Sequence, residues 1–299
     1  MVGSAIAFEA KAQGFEVRGK SSKELDLTNR QLVFEEIQRD KPDAIIIAAA
    51  KVGGIGANSS MPVDFLSINL QIQTNLLDAA HKANISKVLF LGSSCVYPKF
   101  ASQPITESAI LTGELEPTNE PYAIAKIAGL KLVEGYRRQF GHHWISAMPT
   151  NLYGPRDNFD LETAHVLPAL IHRIHDAKVN HSREVEVWGD GTPLREFLFV
   201  SDLARACIVL LNHYDDSVAI NIGSGHEISI GQLSKLISKI VDYSGEIVFN
   251  KSRPNGTPRK LLDSSKIAEL GWKPQVKIED GIVSAYDWFL KQYKKEPMP

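Results

Sequence analysis

Tyr122 and Lys126 stand four residues apart in Glu120-Pro121-Tyr122-Ala123-Ile124-Ala125-Lys126. On a helix this spacing places the phenol and the ammonium on one face, a turn apart. A cation beside a phenol favours phenolate, so Lys126 is expected to lower the Tyr122 pKa from its reference of about 10. Such a phenol is a proton donor for a developing alkoxide. The pair alone is a weak signal, because Tyr and Lys at this spacing occur by chance in many exposed helices. The run Ser93-Ser94-Cys95-Val96-Tyr97, starting 29 residues before Tyr122, adds hydroxyls and a thiol. A Ser93 hydroxyl facing the phenol would hold a carbonyl oxygen. Cys95, two residues on, is expected to point to the same side of an extended strand.

These groups need a strand and a helix to carry them. Val88 to Leu91 is a short apolar run ending at Gly92, which reads as a buried strand. Pro121 suits a first helical position, so a helix is expected from about 121 to 140. Ala44 to Ala50 reads as a second buried strand, with a flexible loop at Gly53-Gly54-Ile55-Gly56 and a long helix over 61–84. Thr28-Asn29-Arg30-Gln31 resembles a capping box, and Lys41-Pro42 ends that helix. Trp144 to Met148 is a further strand. This βα alternation predicts an α/β fold, a doubly wound parallel sheet, with ligands at the C-terminal ends of its strands.

The N-terminus is unusual. Met1 to Ala7 reads as the opening turn of a helix that stops near Gly14, followed by a short strand at Phe15-Glu16-Val17-Arg18. In a dinucleotide-binding unit, a strand and a glycine-rich turn precede that helix. Gly3 matches the last glycine of such a fingerprint, and the first two have no counterpart. The expectation is a start lacking roughly ten to fifteen residues. After the second strand of such folds, an acid selects a ribose 2′-hydroxyl, whereas basic or hydroxyl groups accommodate a 2′-phosphate. Arg18-Gly19-Lys20-Ser21-Ser22-Lys23 has no acid before Glu24, which favours NADP over NAD.

Past Met148 the texture changes. Residues 149–156 form a turn-rich exit from the sheet, and helices are expected near 167, 203, 229–242 and 278–292. We expect a cofactor-binding unit over 1–150 and a smaller α/β substrate-binding unit over 151–299, with 197–223 returning to the first. The 299 residues carry a net charge of −2, which points to no nucleic-acid or acidic-membrane partner. Two cysteines, Cys95 and Cys207, make no disulfide framework and no metal spacing, and fit a reducing cytoplasm. Cys207 lies in an apolar helical stretch and reads as core. No 18-residue apolar span or signal peptide is present.

Together, the Ser/Tyr/Lys set resembles the extended short-chain dehydrogenase/reductase family. Trp188-Gly189-Asp190-Gly191, Arg195 and Val200-Ser201-Asp202-Leu203-Ala204-Arg205-Ala206 resemble its nucleotide-sugar branch. Five further blocks, over 49–55, 92–98, 116–122, 148–155 and 256–263, resemble the branch's epimerase–reductases. The resemblance implies epimerisation at C3 and C5 of GDP-4-keto-6-deoxy-mannose, then NADPH-dependent reduction at C4, in a homodimer. It implies catalytic roles for Ser93, Cys95, Tyr122, Lys126 and His165. It implies cofactor contacts from Gly3, Ser22, Leu91, Gly92, Ser93, Ser94, Lys126, Pro149, Thr150, Asn151, Leu152 and His165. Arg173, Trp188, Arg195 and Asp263 match its substrate contacts. A 4-epimerase, a dehydratase or a non-catalytic sensor are the alternatives. Related dehydratases carry Asp and Glu where this chain has Ser94 and Cys95, and related 4-epimerases have no ionisable group there.

Overall fold

A computed structural model describes residues 1–253 and 255–293. In chain order it contains helices α1 (Val2–Ala12) and α2 (Arg30–Asp40), strand β1 (Ala44–Ile47), helices α3 (Ile55–Ser60) and α4 (Pro62–Lys82), and strand β2 (Lys87–Leu91). Helix α5 (Glu120–Phe140), strands β3 (Ile145–Pro149) and β4 (Asn151–Tyr153) and helix α6 (Val166–Val179) follow. Next come β5 (Glu184–Trp188), β6 (Leu194–Phe199), α7 (Val200–His213), β7 (Ile220–Ile222) and β8 (Glu227–Ser229). The chain closes with α8 (Ile230–Val241), β9 (Glu246–Asn250), β10 (Arg259–Lys260), α9 (Ser265–Glu269) and α10 (Ile278–Tyr293). No helix among the described residues is long and apolar enough to cross a membrane.

Strands β1-β2-β3-β7 form a parallel sheet in that order. Side chains alternate across a strand, and β2 shows why it is apolar throughout. Val88 and Phe90 face a core built with Leu76 and Leu77 of α4 and Leu130 and Val133 of α5. Leu89 and Leu91 face the opposite core, with Ile6 of α1 and Leu203 and Cys207 of α7. Each residue is at most 5% exposed, so a polar change on either side would meet a packed layer. A third core joins α6, α8 and α10 through Ile171, Ile174, Leu233, Ile237 and Phe289, beside the parallel pair β5–β9. Strand β6 lies between β4 and β10 and also pairs antiparallel with β8.

Several expectations need correction. Residues 15–18 form no strand and pair with none among the described residues, and a strand exists only through its ladder. The strand at 44–50 stops at Ile47, and as the sheet's edge it leaves Ile45 and Ile46 half-buried. The N-cap of α2 is Asn29, whose side chain accepts from Leu32 N–H; Thr28 instead bonds Asp26. The glycine-rich loop at 53–56 opens α3. The turn-rich exit contains β4. Strand β7 pairs parallel with β3 at the far edge of the first sheet.

Candidate active site

The C-terminal ends of β2 and β3 open into a cleft of about 610 Å³, in the size range of small-molecule sites. The strand ends of the first sheet, the N-terminus of α6, β5 and β6 all line it. The bond from Gly92 N–H to the Ala147 carbonyl, 2.8 Å, is the last rung between β2 and β3, and the ladder ends there. Ser94–Val96 is then a single 3₁₀ turn, not extended chain. Ser93 caps that turn, its hydroxyl accepting from Cys95 N–H at 3.2 Å. Ser93 and Cys95 therefore share the cleft through a capped turn, not through strand alternation.

Helix α5 delivers Tyr122 and Lys126. The Tyr122 ring packs edge-on against Phe65, with centroids 6.4 Å apart. Lys126 is 4% exposed; its ammonium donates to the Leu91 carbonyl at 2.9 Å and lies 5.9 Å from the Tyr122 ring centre. Burial pulls Lys126 down to about 8. The expected lowering of the Tyr122 pKa does not occur in this ligand-free chain. Burial raises it, the neighbouring Cys95 adds to the rise, and the Ser93 hydroxyl offsets part of it. An i,i+4 spacing shows that two side chains are neighbours; it does not show how much water surrounds them.

Asn119 is the N-cap of α5, yet its side chain does not cap the helix. Its amide instead reaches Cys95 Sγ at 3.6 Å. His165 is the N-cap residue of α6. Desolvation within the cleft lowers its pKa, and Lys260 lowers it further. The Arg173 guanidinium, one helical face along, stands 5.6 Å from the centre of the Trp188 ring. Burial draws Arg195 down to about 10, partly offset by Cys95 and Glu116.

Of the residues expected from sequence, the cleft gathers Gly3, Leu91 to Cys95, Tyr122, Lys126, Pro149 to Leu152, His165, Arg173, Trp188 and Arg195. Two fall outside it. Asp263 binds its own neighbourhood: its carboxylate accepts from Ser265 N–H at 3.0 Å, and its own N–H donates to the Ile105 carbonyl. Ser22 lies in an exposed turn away from the cleft wall. The basic groups near it are already paired, Arg18 with Glu16 and Asp40, and Lys20 with Glu36. Sequence reading missed Asn119, Asn255 and Lys260, all of which line the cleft. Asn119 and Lys260 lie inside blocks already singled out, 116–122 and 256–263, where neighbouring charged or aromatic residues drew the attention.

The site's donors fit a dinucleotide. The first turn of α1 faces the cleft, and no side chain caps it. A Cβ added at Gly3 would meet nothing within 4 Å. Unsatisfied backbone N–H groups at a helix start attract phosphate oxygens.

The sequence profile of the NAD dependent epimerase/dehydratase family matches residues 1–223. GDP-L-fucose synthase 1 of Arabidopsis thaliana is 55% identical over 292 residues, covering 97% of this chain and 90% of the relative. GDP-L-fucose synthase of Escherichia coli is 48% identical, covering 97% of this chain and 94% of the relative. A solved GDP-L-fucose synthetase from Naegleria fowleri bound to NADP superposes with a TM-score of 0.89 at 29% identity, covering 98% of this chain and 92% of that one. The parallel sheet, the cleft at its strand ends and these likenesses agree: the chain belongs to the NAD dependent epimerase/dehydratase family.

Proposed function

We propose that this protein makes GDP-L-fucose from GDP-4-keto-6-deoxy-D-mannose by epimerising C3 and C5 and then reducing C4 with NADPH. Full-length relatives carrying this name support the reading. The observation that carries it is local: a thiol and an imidazole, Cys95 and His165, open into the same cleft as Ser93, Tyr122 and Lys126. A plain ketoreductase has work for the last three only.

C3 and C5 both flank the C4 carbonyl, so their protons are acidic. Cys95 takes a proton from the carbon, and the electron pair moves onto the C4 oxygen. The Ser93 and Tyr122 hydroxyls hold the resulting oxyanion. His165 returns a proton to the opposite face of the carbon, which inverts it. NADPH, when bound, supplies hydride to C4. Tyr122 then gives its proton to the C4 oxygen, and the adjacent Lys126 ammonium supports the phenolate left behind. Lys126, together with the α1 first turn and Asn151, would hold the cofactor. Arg173, Arg195 and Trp188 would hold the GDP portion, the arginines pairing with the diphosphate.

The same reading gives a cofactor half over 1–150 and a substrate half over 151–299 with 197–223 returning, in a cytoplasmic homodimer. Exposed Val63, Ile124 and Phe140 on α4 and α5 support a pairing face there. Light scattering tests the dimer. The chemistry is tested with the keto-sugar in deuterated water. Deuterium should enter C3 and C5 without NADPH, and reduced-cofactor absorbance should fall once NADPH is added. Reduction without exchange would leave a simple keto-sugar reductase.

A further inference from the structure

Cys95 is ringed by charge. Lys260 Nζ lies 3.9 Å from its sulfur, and Asn119 Nδ2 lies 3.6 Å away on the other side. Strand β10 is only two residues long, and its parallel register with β6 sets Lys260 directly beside Arg195. Two cations thus enter the cleft side by side. The nearby acid, Glu116, is already engaged by Thr118 N–H at 3.0 Å, by the Thr118 hydroxyl and by Lys99 at 3.8 Å. Lys260 has no carboxylate within 4 Å among the described residues. The remaining groups facing this corner are the Tyr122 phenol, the Ser93 hydroxyl and the His165 imidazole.

We propose that Lys260 is a positioning residue for proton transfer, its ammonium set beside the Cys95 sulfur to hold the negative charge that sulfur carries when it acts as base. A cation a few ångströms from a group favours that group's anionic form and opposes a second cation nearby. Lys260 thereby serves the first of the two proton-transfer groups, the thiol, through a 3.9 Å contact. This rests on Cys95 and His165 being those groups.

The thiol can be tested without substrate. Cys207 is fully buried, so iodoacetamide at pH 7 reads Cys95, and Cys95→Ser confirms the assignment by abolishing labelling. Lys260→Met should slow alkylation about tenfold, the low end for removing an opposite charge at this distance. Lys260→Arg should keep most of the wild-type rate. Lys260→Gln is a second neutral variant, and melting curves establish that each variant is folded. Deuterium entry at C3 and C5 should fall in step with alkylation. Wild-type alkylation in a folded neutral variant, or an arginine variant as slow as methionine, overturns the proposal. If alkylation responds as expected but the wild-type protein exchanges no deuterium, the proposed function fails while the role of Lys260 toward the thiol stands.

Discussion

Under the proposed function, Tyr122 serves reduction and Cys95 serves proton exchange, and single substitutions should separate them. Tyr122→Phe removes one oxygen and almost no packing, since the ring still meets Phe65. NADPH oxidation should fall at least about a hundredfold, the low end for losing a general acid. Deuterium should still enter the keto-sugar, because Ser93 and Cys95 remain. Cys95→Ser should do the reverse, stopping exchange with little change in the melt. Near-normal NADPH oxidation by Tyr122→Phe would remove the phenol from the mechanism. Types and spacings made these residues legible in the sequence. Their environment was not, because it depends on residues far away in the chain. The Lys126 ammonium ends at a carbonyl of β2, 35 residues away, and burial dominates both it and Tyr122. For Asp263 the block gave the residue but not its local partner, Ser265 N–H, which its carboxylate accepts from.

Elements hold His165 in place, and a glycine decides how closely. Gly54 N–H donates to the Thr163 carbonyl at 2.9 Å, joining the start of α3 to the loop before His165. A Cβ at Gly54 would sit 2.3 Å from the Ala164 carbonyl oxygen, and backbone cannot yield as a flexible side chain can. Gly54→Ala should therefore push His165 away from Cys95. The expected cost is about 1–3 kcal/mol in stability. Exchange should fall by far more than the fraction unfolded; a variant with a shifted melt and wild-type exchange would show that this contact serves stability only. The same loop carries Asp157, whose carboxylate keeps one oxygen buried and unpartnered. Burial raises it to about 6 from an ordinary 3.8. A raised carboxyl favours the fold below its unfolded value, and that favour is lost as pH rises through about 6. Asp157→Asn removes the buried charge, so it should out-melt the wild type at pH 8 by about 1–3 kcal/mol and match it near pH 4. Equal melts at both pH values would mean water reaches the carboxylate. Helix positions were readable from caps and periodicity. The short β4 was not, because its pairing with the distant β6 defines it, and α3 spans only six residues with no side-chain cap to announce it.

At the scale of the molecule, the cleft lies between the first sheet and the α6-bearing body, so a ligand spanning it should stabilise both. Alternation of strand and helix made the sheet legible in the sequence; the interleaving beyond β3 was visible only in outline, since β4 and β6 pair across 46 residues. The choice of cofactor also belongs to this scale. Arg18 and Lys20 meet carboxylates from the neighbouring turn and from α2, namely Glu16, Asp40 and Glu36. A 2′-phosphate would displace carboxylates from those cations, and it gains from the exchange because it carries about −1.5 to −2 charge against one for a carboxylate. A ribose hydroxyl offers no such replacement. NADPH should thus raise the melting temperature more than NADH at equal concentration. At a hundredfold excess over its dissociation constant, the expected gain is about 2.7 kcal/mol, or roughly 4 °C for a chain of this size. Added salt should shrink the difference between the two cofactors, since the groups that discriminate are exposed and screened. Arg18→Ala and Lys20→Ala should narrow it too, leaving the NADH response unchanged. If NADPH and NADH raise the melt equally at low salt, the turn at 18–23 does not select the cofactor, and selection must lie with groups inside the cleft.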